Sequence, residues 1–178
     1  MSREVVLMSE TDMARTVDRL AYEILERDCA QGVPALVGIQ RRGVELAQRI
    51  RTVLADKLKA TPEFGKLDIN LYRDDWTTSD GIPHISSTEI DFDVTGRDII
   101  LVDDVLYSGR TIRSALEAIL DFGRPNSVKL LVLVDRGHRE LPIHADYVGK
   151  TVRSARNEHV DVFLKERDGQ DRVVLRGE

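Results

Sequence analysis

Two short, wholly apolar runs, Ile99 to Val102 and Leu130 to Val134, constrain the fold of this chain more than any other feature. Each is far too short to cross a membrane. Each lacks a polar face, so each reads as a strand covered on both sides. Between and before them the apolar period changes. Met13, Val17, Leu20, Ile24 and Leu25 recur near helical spacing, Val44 to Leu58 does so again, and Thr111 to Phe122 does so up to Gly123, with Pro125 beyond as a normal stop. Ser9 with Asp12 three residues on resembles a capping box, which starts the first helix and predicts it over about Glu10 to Arg27. Val33 to Ile39, after Gly32, reads as another strand. Strands alternating with helices predict an α/β fold, a mostly parallel central sheet with flanking helices.

The rest of the chain is read more coarsely. Asp68 to Arg73 alternates apolar and polar residues and reads as a strand. Asp74 to Thr88 is polar, broken by Gly81 and Pro83, and long enough to be a lid or a hairpin. Short strands are expected near Tyr147 and Val148, over Val160 to Leu164 and over Val173 to Leu175. With 178 residues and no internal repeat, a single domain over 1–178 is expected. One cysteine, Cys29, excludes an internal disulfide, and the opening MSREVVLMSE lacks the apolar stretch of a signal peptide, so a cytoplasmic protein with no membrane partner is expected. A net charge of −5 disfavours a general nucleic-acid coating protein, and 5% aromatic residues leave little for base-stacking platforms, but neither excludes a local basic patch.

Ligands of such sheets sit at the carboxyl ends of the strands. That brings together the loops after Ile39, Arg73, Val102 and Val134. The stretch Ile99 to Thr111, IILVDDVLYSGRT, carries the most chemistry. An apolar strand delivers Asp103 and Asp104, and the turn Tyr107-Ser108-Gly109-Arg110-Thr111 leads into a helix. Free amides at a helix start bind phosphate, Gly109 permits close approach, and Ser108 and Thr111 add hydroxyls. Paired carboxylates repel phosphate but accept hydrogen bonds from vicinal hydroxyls or hold a hydrated cation. One loop therefore suits a ribose 5-phosphate. Two other readings stand beside it: acids that merely cap the helix, and a phosphoacceptor receiver domain. No Walker lysine pattern is present.

Four segments, in order, make the chain similar to a known family: GIQRRG at Gly38 to Gly43, LYRDD at Leu71 to Asp75, VDDVLYSGRT at Val102 to Thr111, and LVDRGHRELPIHADYVGK at Leu133 to Lys150. Together they resemble the type I phosphoribosyltransferases, which bind phosphoribosyl pyrophosphate (PRPP). More narrowly they resemble the subgroup that joins uracil phosphoribosyltransferase activity to regulation of a pyrimidine operon. The resemblance implies a type I phosphoribosyltransferase-like fold with a flexible loop and a small hood. It implies a reaction of uracil with PRPP to UMP and pyrophosphate, with Mg2+ accompanying PRPP. Asp103 and Asp104 would bind the ribose 2- and 3-hydroxyls and stabilise positive charge at the anomeric carbon. Val105, Leu106, Tyr107, Ser108, Gly109, Arg110 and Thr111 would form the 5-phosphate loop.

By the same resemblance Arg41 and Arg42, ahead of Gly43, form the pyrophosphate loop. Arg41 stands where Thr is usual, which leaves its side-chain role open. Arg73 would reach pyrophosphate when the polar loop closes; Trp76 either anchors that loop or packs. Arg136 would touch the nucleotide, His138 would lie near the base, and Val160 would offer its backbone to uracil. Purine members commonly carry Asp where this chain has Tyr107, which favours a pyrimidine. UMP or UTP would be an effector, and a nucleotide-bound homodimer or higher homo-oligomer would grip a leader RNA hairpin and promote transcription termination. Arg15, Arg19, Arg139 and Lys150 are the candidate RNA contacts, each equally readable as a solvated charge. Asp18, Tyr22, His144 and Lys150-Thr151-Val152-Arg153 depart from the common pattern of that face. A stand-alone phosphoribosyltransferase without an RNA role is the alternative.

Overall fold

The computed structural model describes residues 4–74 and 87–177. Its elements are β1 (Glu4–Met8), α1 (Glu10–Asp28), β2 (Ala35–Ile39), α2 (Arg42–Leu58), β3 (Phe64–Leu67), a 3-10 turn (Asn70–Tyr72), β4 (Glu89–Ile90), β5 (Asp98–Leu106), α3 (Arg110–Leu120), β6 (Ser127–Asp135), β7 (Tyr147–Thr151), β8 (His159–Phe163), α4 (Lys165–Asp168) and β9 (Arg172–Arg176). Six strands form the main sheet in the order β4-β3-β2-β5-β6-β7, parallel except for the antiparallel edge strand β4. A second sheet, β1-β9-β8, is antiparallel and joins the two ends of the chain; Val5 lies opposite Leu175.

The apolar runs are continuous because each strand feeds two cores. Ile100, Val102, Leu131 and Leu133 pack with Met13, Leu20 and Ile24 of α1 and Leu46, Ile50 and Leu54 of α2. The alternate residues Ile99, Leu101, Leu130 and Val132 pack on the other face with Ile112, Ala115 and Ile119 of α3. This is the period-two geometry of a strand buried on both faces. The α1 start is a capping box: Ser9 Oγ accepts the Asp12 amide at 3.2 Å, and Asp12 accepts the Ser9 amide at 2.9 Å. Such a cap contributes about 1 kcal/mol.

The strand expected over Asp68 to Arg73 is not there. The strand is β3, just upstream, and Asn70–Tyr72 form a 3-10 turn. Asp68 Oδ1 accepts the Asn70 amide at 2.9 Å and the Tyr72 amide bonds the Ile69 carbonyl at 2.9 Å. An Asx turn therefore captured backbone groups that a sheet ladder would have needed. Ile69 is buried while Leu71 is 69% exposed, so the apparent alternation was not a sheet face. Most of the expected lid, including Trp76, lies outside the described residues. Thr88, at its far end, accepts the Asp68 amide through Oγ1 at 3.0 Å.

Candidate active site

The carboxyl ends of β2, β5 and β6 converge on one cleft. The closeness is enforced by Gly43 in the first turn of α2, where an added Cβ would stand 2.3 Å from the Val102 carbonyl oxygen. β5 continues past its apolar run and carries Asp103 and Asp104 to the rim. Asp103 is 7% exposed. Its Oδ1 accepts the Asp104 amide at 2.9 Å, and Asp104 Oδ1 accepts the Val105 amide at 2.8 Å. Burial, then the neighbouring Asp104 charge, holds the Asp103 carboxyl well above its ordinary 3.8. Burial raises Asp104 as well, with the Arg42 guanidinium among the groups that oppose it. Two buried acids that repel one another are relieved by hydroxyl donors, which a vicinal diol supplies in pairs.

Beyond Leu106 the chain turns into α3 at Gly109, whose φ of +91° lies in the left-handed region that glycine adopts without cost. No side chain caps this helix through the turn residue. The Ser108 carbonyl accepts the amides of Glu140 and Leu141 at 2.9 and 3.2 Å, and the Tyr107 carbonyl accepts Arg139 Nη1 at 2.9 Å. The turn's carbonyls are thus engaged by the loop after β6. The first-turn amides of α3, which have no intrahelical acceptor, are suited to an anion. Ser108 Oγ accepts the Arg110 amide at 3.3 Å, and Thr111 is exposed in the first turn. The Arg110 side chain is taken by Glu140 (Nε to Oε2, 2.6 Å) and Asp74 (Nη1 to Oδ2, 3.0 Å).

After β2 the Gln40–Arg41 peptide is cis, and Arg41 is exposed at the uncapped start of α2. Arg42 donates through Nη2 to Asp168 of α4 at 3.2 Å, while its Nε is buried with no hydrogen-bond partner. That Nε is a buried donor without a partner, and the guanidinium charge acts on the Asp104 carboxyl. Arg73 is exposed just beyond the 3-10 turn.

At the other end of the cleft Arg136 is buried. Its amide bonds the Leu106 carbonyl at 3.1 Å, Nε reaches Ser154 Oγ at 3.1 Å, and Nη2 reaches the Ala155 carbonyl at 2.9 Å. The guanidinium lies 4.2 Å from the centre of the Tyr107 ring. His138, at φ +62°, meets the same ring edge-on at 6.0 Å and bonds the Ser154 carbonyl through Nε2 at 2.5 Å. A cavity of about 400 Å3 opens between Asp135–Arg139 and Thr151–Ser154. Val160, in β8, packs against the same core face as Val105 and pairs with Leu175. Sequence reasoning missed Ser154, Ala155 and Asp168. Only their separation from Arg136 and Arg42 in the chain hid them, and no local motif marks them.

Three of the four candidate RNA contacts are engaged within the chain. Arg19 donates to Glu23 and to the carbonyls of Val148 and Gly149, Lys150 to the Leu7 carbonyl, and Arg139 to Asp135 and to the carbonyls of Tyr107 and Ile143. The charges of Lys150 and Arg15 both help lower the Asp12 carboxyl, behind its bonds to Ser9. Arg139 instead ties the turn before α3 to Asp135 and Ile143. A second cavity, of about 300 Å3, lies at the amino ends of β5 and β6, where Lys129 pairs with Asp28 and the Ser127 hydroxyl donates to Asp98 at 2.6 Å. Asp98 begins β5, and five residue steps along the strand, roughly 16 Å, separate it from Asp103.

Residues 8–167 match the phosphoribosyl transferase domain family. The chain is 51% identical to the bifunctional protein PyrR of Pelotomaculum thermopropionicum, over 98% of this chain and 97% of that protein. It is 52% identical to the bifunctional protein PyrR of Thermus aquaticus, over 95% and 93%. It belongs to the PyrR branch of the phosphoribosyltransferase family. The phosphoribosyltransferase fold extends further than the sequence likeness. The hypoxanthine phosphoribosyltransferase of Trypanosoma cruzi superposes with a TM-score of 0.72 at 20% identity, covering 97% of each chain. A hypoxanthine-guanine phosphoribosyltransferase of Bacillus anthracis does so with a TM-score of 0.71 at 18%, also over 97% of each.

Proposed function

We propose that this phosphoribosyltransferase transfers the phosphoribosyl group of PRPP to uracil in the cytoplasm, giving UMP and pyrophosphate. In its UMP- or UTP-bound form, as a homodimer or larger homo-oligomer, it binds a pyrimidine-leader RNA hairpin. The observation that carries the catalytic reading is the buried Asp103–Asp104 pair immediately ahead of the glycine-started α3. The ribose hydroxyls donate to the two carboxylates, and the amides and hydroxyls of Tyr107 to Thr111 hold the 5-phosphate. Arg42, at the start of α2, and Arg73 hold the pyrophosphate. As the bond from the anomeric carbon to pyrophosphate breaks, positive charge develops on the ribose and the nearby carboxylates stabilise it. Uracil N1 forms the new bond at the anomeric carbon, and its proton passes to the departing pyrophosphate or to water. Arg136 and the Val160 backbone orient the ring, with His138 beside it.

Among the described residues no group of three or more His, Cys, Asp or Glu side chains could hold a metal ion. Mg2+ would accompany PRPP and offset the charge of the leaving group. The RNA reading draws on Arg15, Arg19, Lys150 and Arg139. The intramolecular bonds of the last three favour a second reading, a stand-alone phosphoribosyltransferase. Two experiments decide. Conversion of uracil and PRPP to UMP should fall sharply in Asp104→Asn, and full turnover in that variant would overturn the diol assignment. Filter binding of a pyrimidine-leader hairpin at low salt should increase with UMP; no increase would leave only the stand-alone enzyme.

A further inference from the structure

The short segment that carries Arg73 is fastened along α3. The Tyr72 carbonyl accepts both Arg113 Nη2 at 3.2 Å and Ser114 Oγ at 3.0 Å, and the Tyr72 hydroxyl bonds Asp121 at the far end of the same helix. Asp74 is bracketed by two arginines of the first turn, Arg110 Nη1 at 3.0 Å and Arg113 Nη2 at 2.5 Å. Arg110 in turn bonds Glu140, whose amide holds the Ser108 carbonyl at 2.9 Å. A continuous path of contacts therefore runs from Asp74 through Arg110 and Glu140 into the phosphate turn. The chain continues from Asp74 back to Arg73.

We propose that Asp74 is a positioning residue for PRPP: its two-arginine bracket ties the segment bearing Arg73 to the phosphate turn, so that the two ends of one substrate are held at a fixed spacing. This rests on the reading of the site given above. The charges are half exposed, and an isolated exposed pair contributes little to stability. The effect is therefore expected in substrate geometry rather than in folding. A ligand spanning both ends, PRPP, depends on the spacing. One occupying only the phosphate turn and the diol, UMP, does not depend on it in the same way.

The test is calorimetric binding of PRPP with Mg2+ and, separately, of UMP to wild type, Asp74→Asn, Asp74→Glu and Arg113→Met. Asp74→Asn and Arg113→Met should weaken PRPP about tenfold while UMP changes less than about threefold, the size expected when one charge-assisted contact is lost from a preorganised site. Asp74→Glu should recover most of the loss. In turnover, KM for PRPP should rise with little change in KM for uracil. Equal weakening of PRPP and UMP, or unchanged PRPP binding, would overturn the proposal. Wild type that binds neither PRPP nor UMP would overturn the reading of the site itself.

Discussion

At the end of the cleft proposed to take the ribose phosphate, the acids Asp103 and Asp104 and the turn from Tyr107 to Thr111 come from one uninterrupted stretch of chain. At the base end, Arg136 is fixed by Ser154 and Ala155, stacks on Tyr107, and shares that ring with His138. The first end is local: one strand delivers the carboxyls and one glycine starts the helix. The second is assembled from the loop after β6, the segment after β7 and Tyr107, which meet only in the folded chain. The contrast divides labour. In the proposed reaction the phosphorylated pentose would meet the contiguous end, and the nucleobase would meet the assembled end.

Substitutions should separate the two ends. The largest effect falls on the contiguous end: in Asp104→Asn, kcat/KM for PRPP should fall about a hundredfold or more, as when one preorganised electrostatic partner of a transition state is removed. A loss confined to KM for uracil would break the division. At the assembled end, Arg136→Lys keeps the charge but loses the forked contact with Ser154 and Ala155. KM for uracil should rise about tenfold, the scale of one lost hydrogen bond to a charged group, with KM for PRPP nearly unchanged.

A smaller effect is expected in stability. The folded-state carboxyl of Asp103 is raised above 3.8 by burial and by Asp104, so the folded protein binds a proton that the unfolded chain has released. Stability from this group is therefore lost as pH rises from about 4 through the raised value. Ligand-free Asp103→Asn should melt a few degrees above wild type at pH 8, and the gap should shrink toward pH 4 while catalysis is lost. A variant that melts lower at pH 8 would show that the pair is not strained when empty.

The same contrast explains what the sequence made legible. Ile99 to Thr111 could be read because strand, turn, helix start and chemistry follow one another without a gap. The α1 capping box was visible for the same reason, with Ser9 and Asp12 three residues apart. The Asp68 to Arg73 segment reads as a strand in the sequence because an Asx turn and a strand share the same apolar alternation over so few residues. The second sheet was only partly visible, since β1 pairs with β9 across nearly the whole chain. Arg139 and Arg110 look like anion ligands in sequence, but in the fold Arg139 braces Tyr107 and Asp135, and Arg110 joins Glu140 to Asp74. The anchoring of Arg42 by Asp168 needed the tertiary structure, because 126 residues separate them.

The most direct measurement compares binding of UMP with binding of its 2′,3′-dideoxy analogue, to wild type and to Asp104→Asn. If the acidic pair holds the ribose diol, wild type binds UMP much more tightly than the analogue, and the difference largely disappears in Asp104→Asn. Equal binding of the two nucleotides to wild type would contradict the assignment.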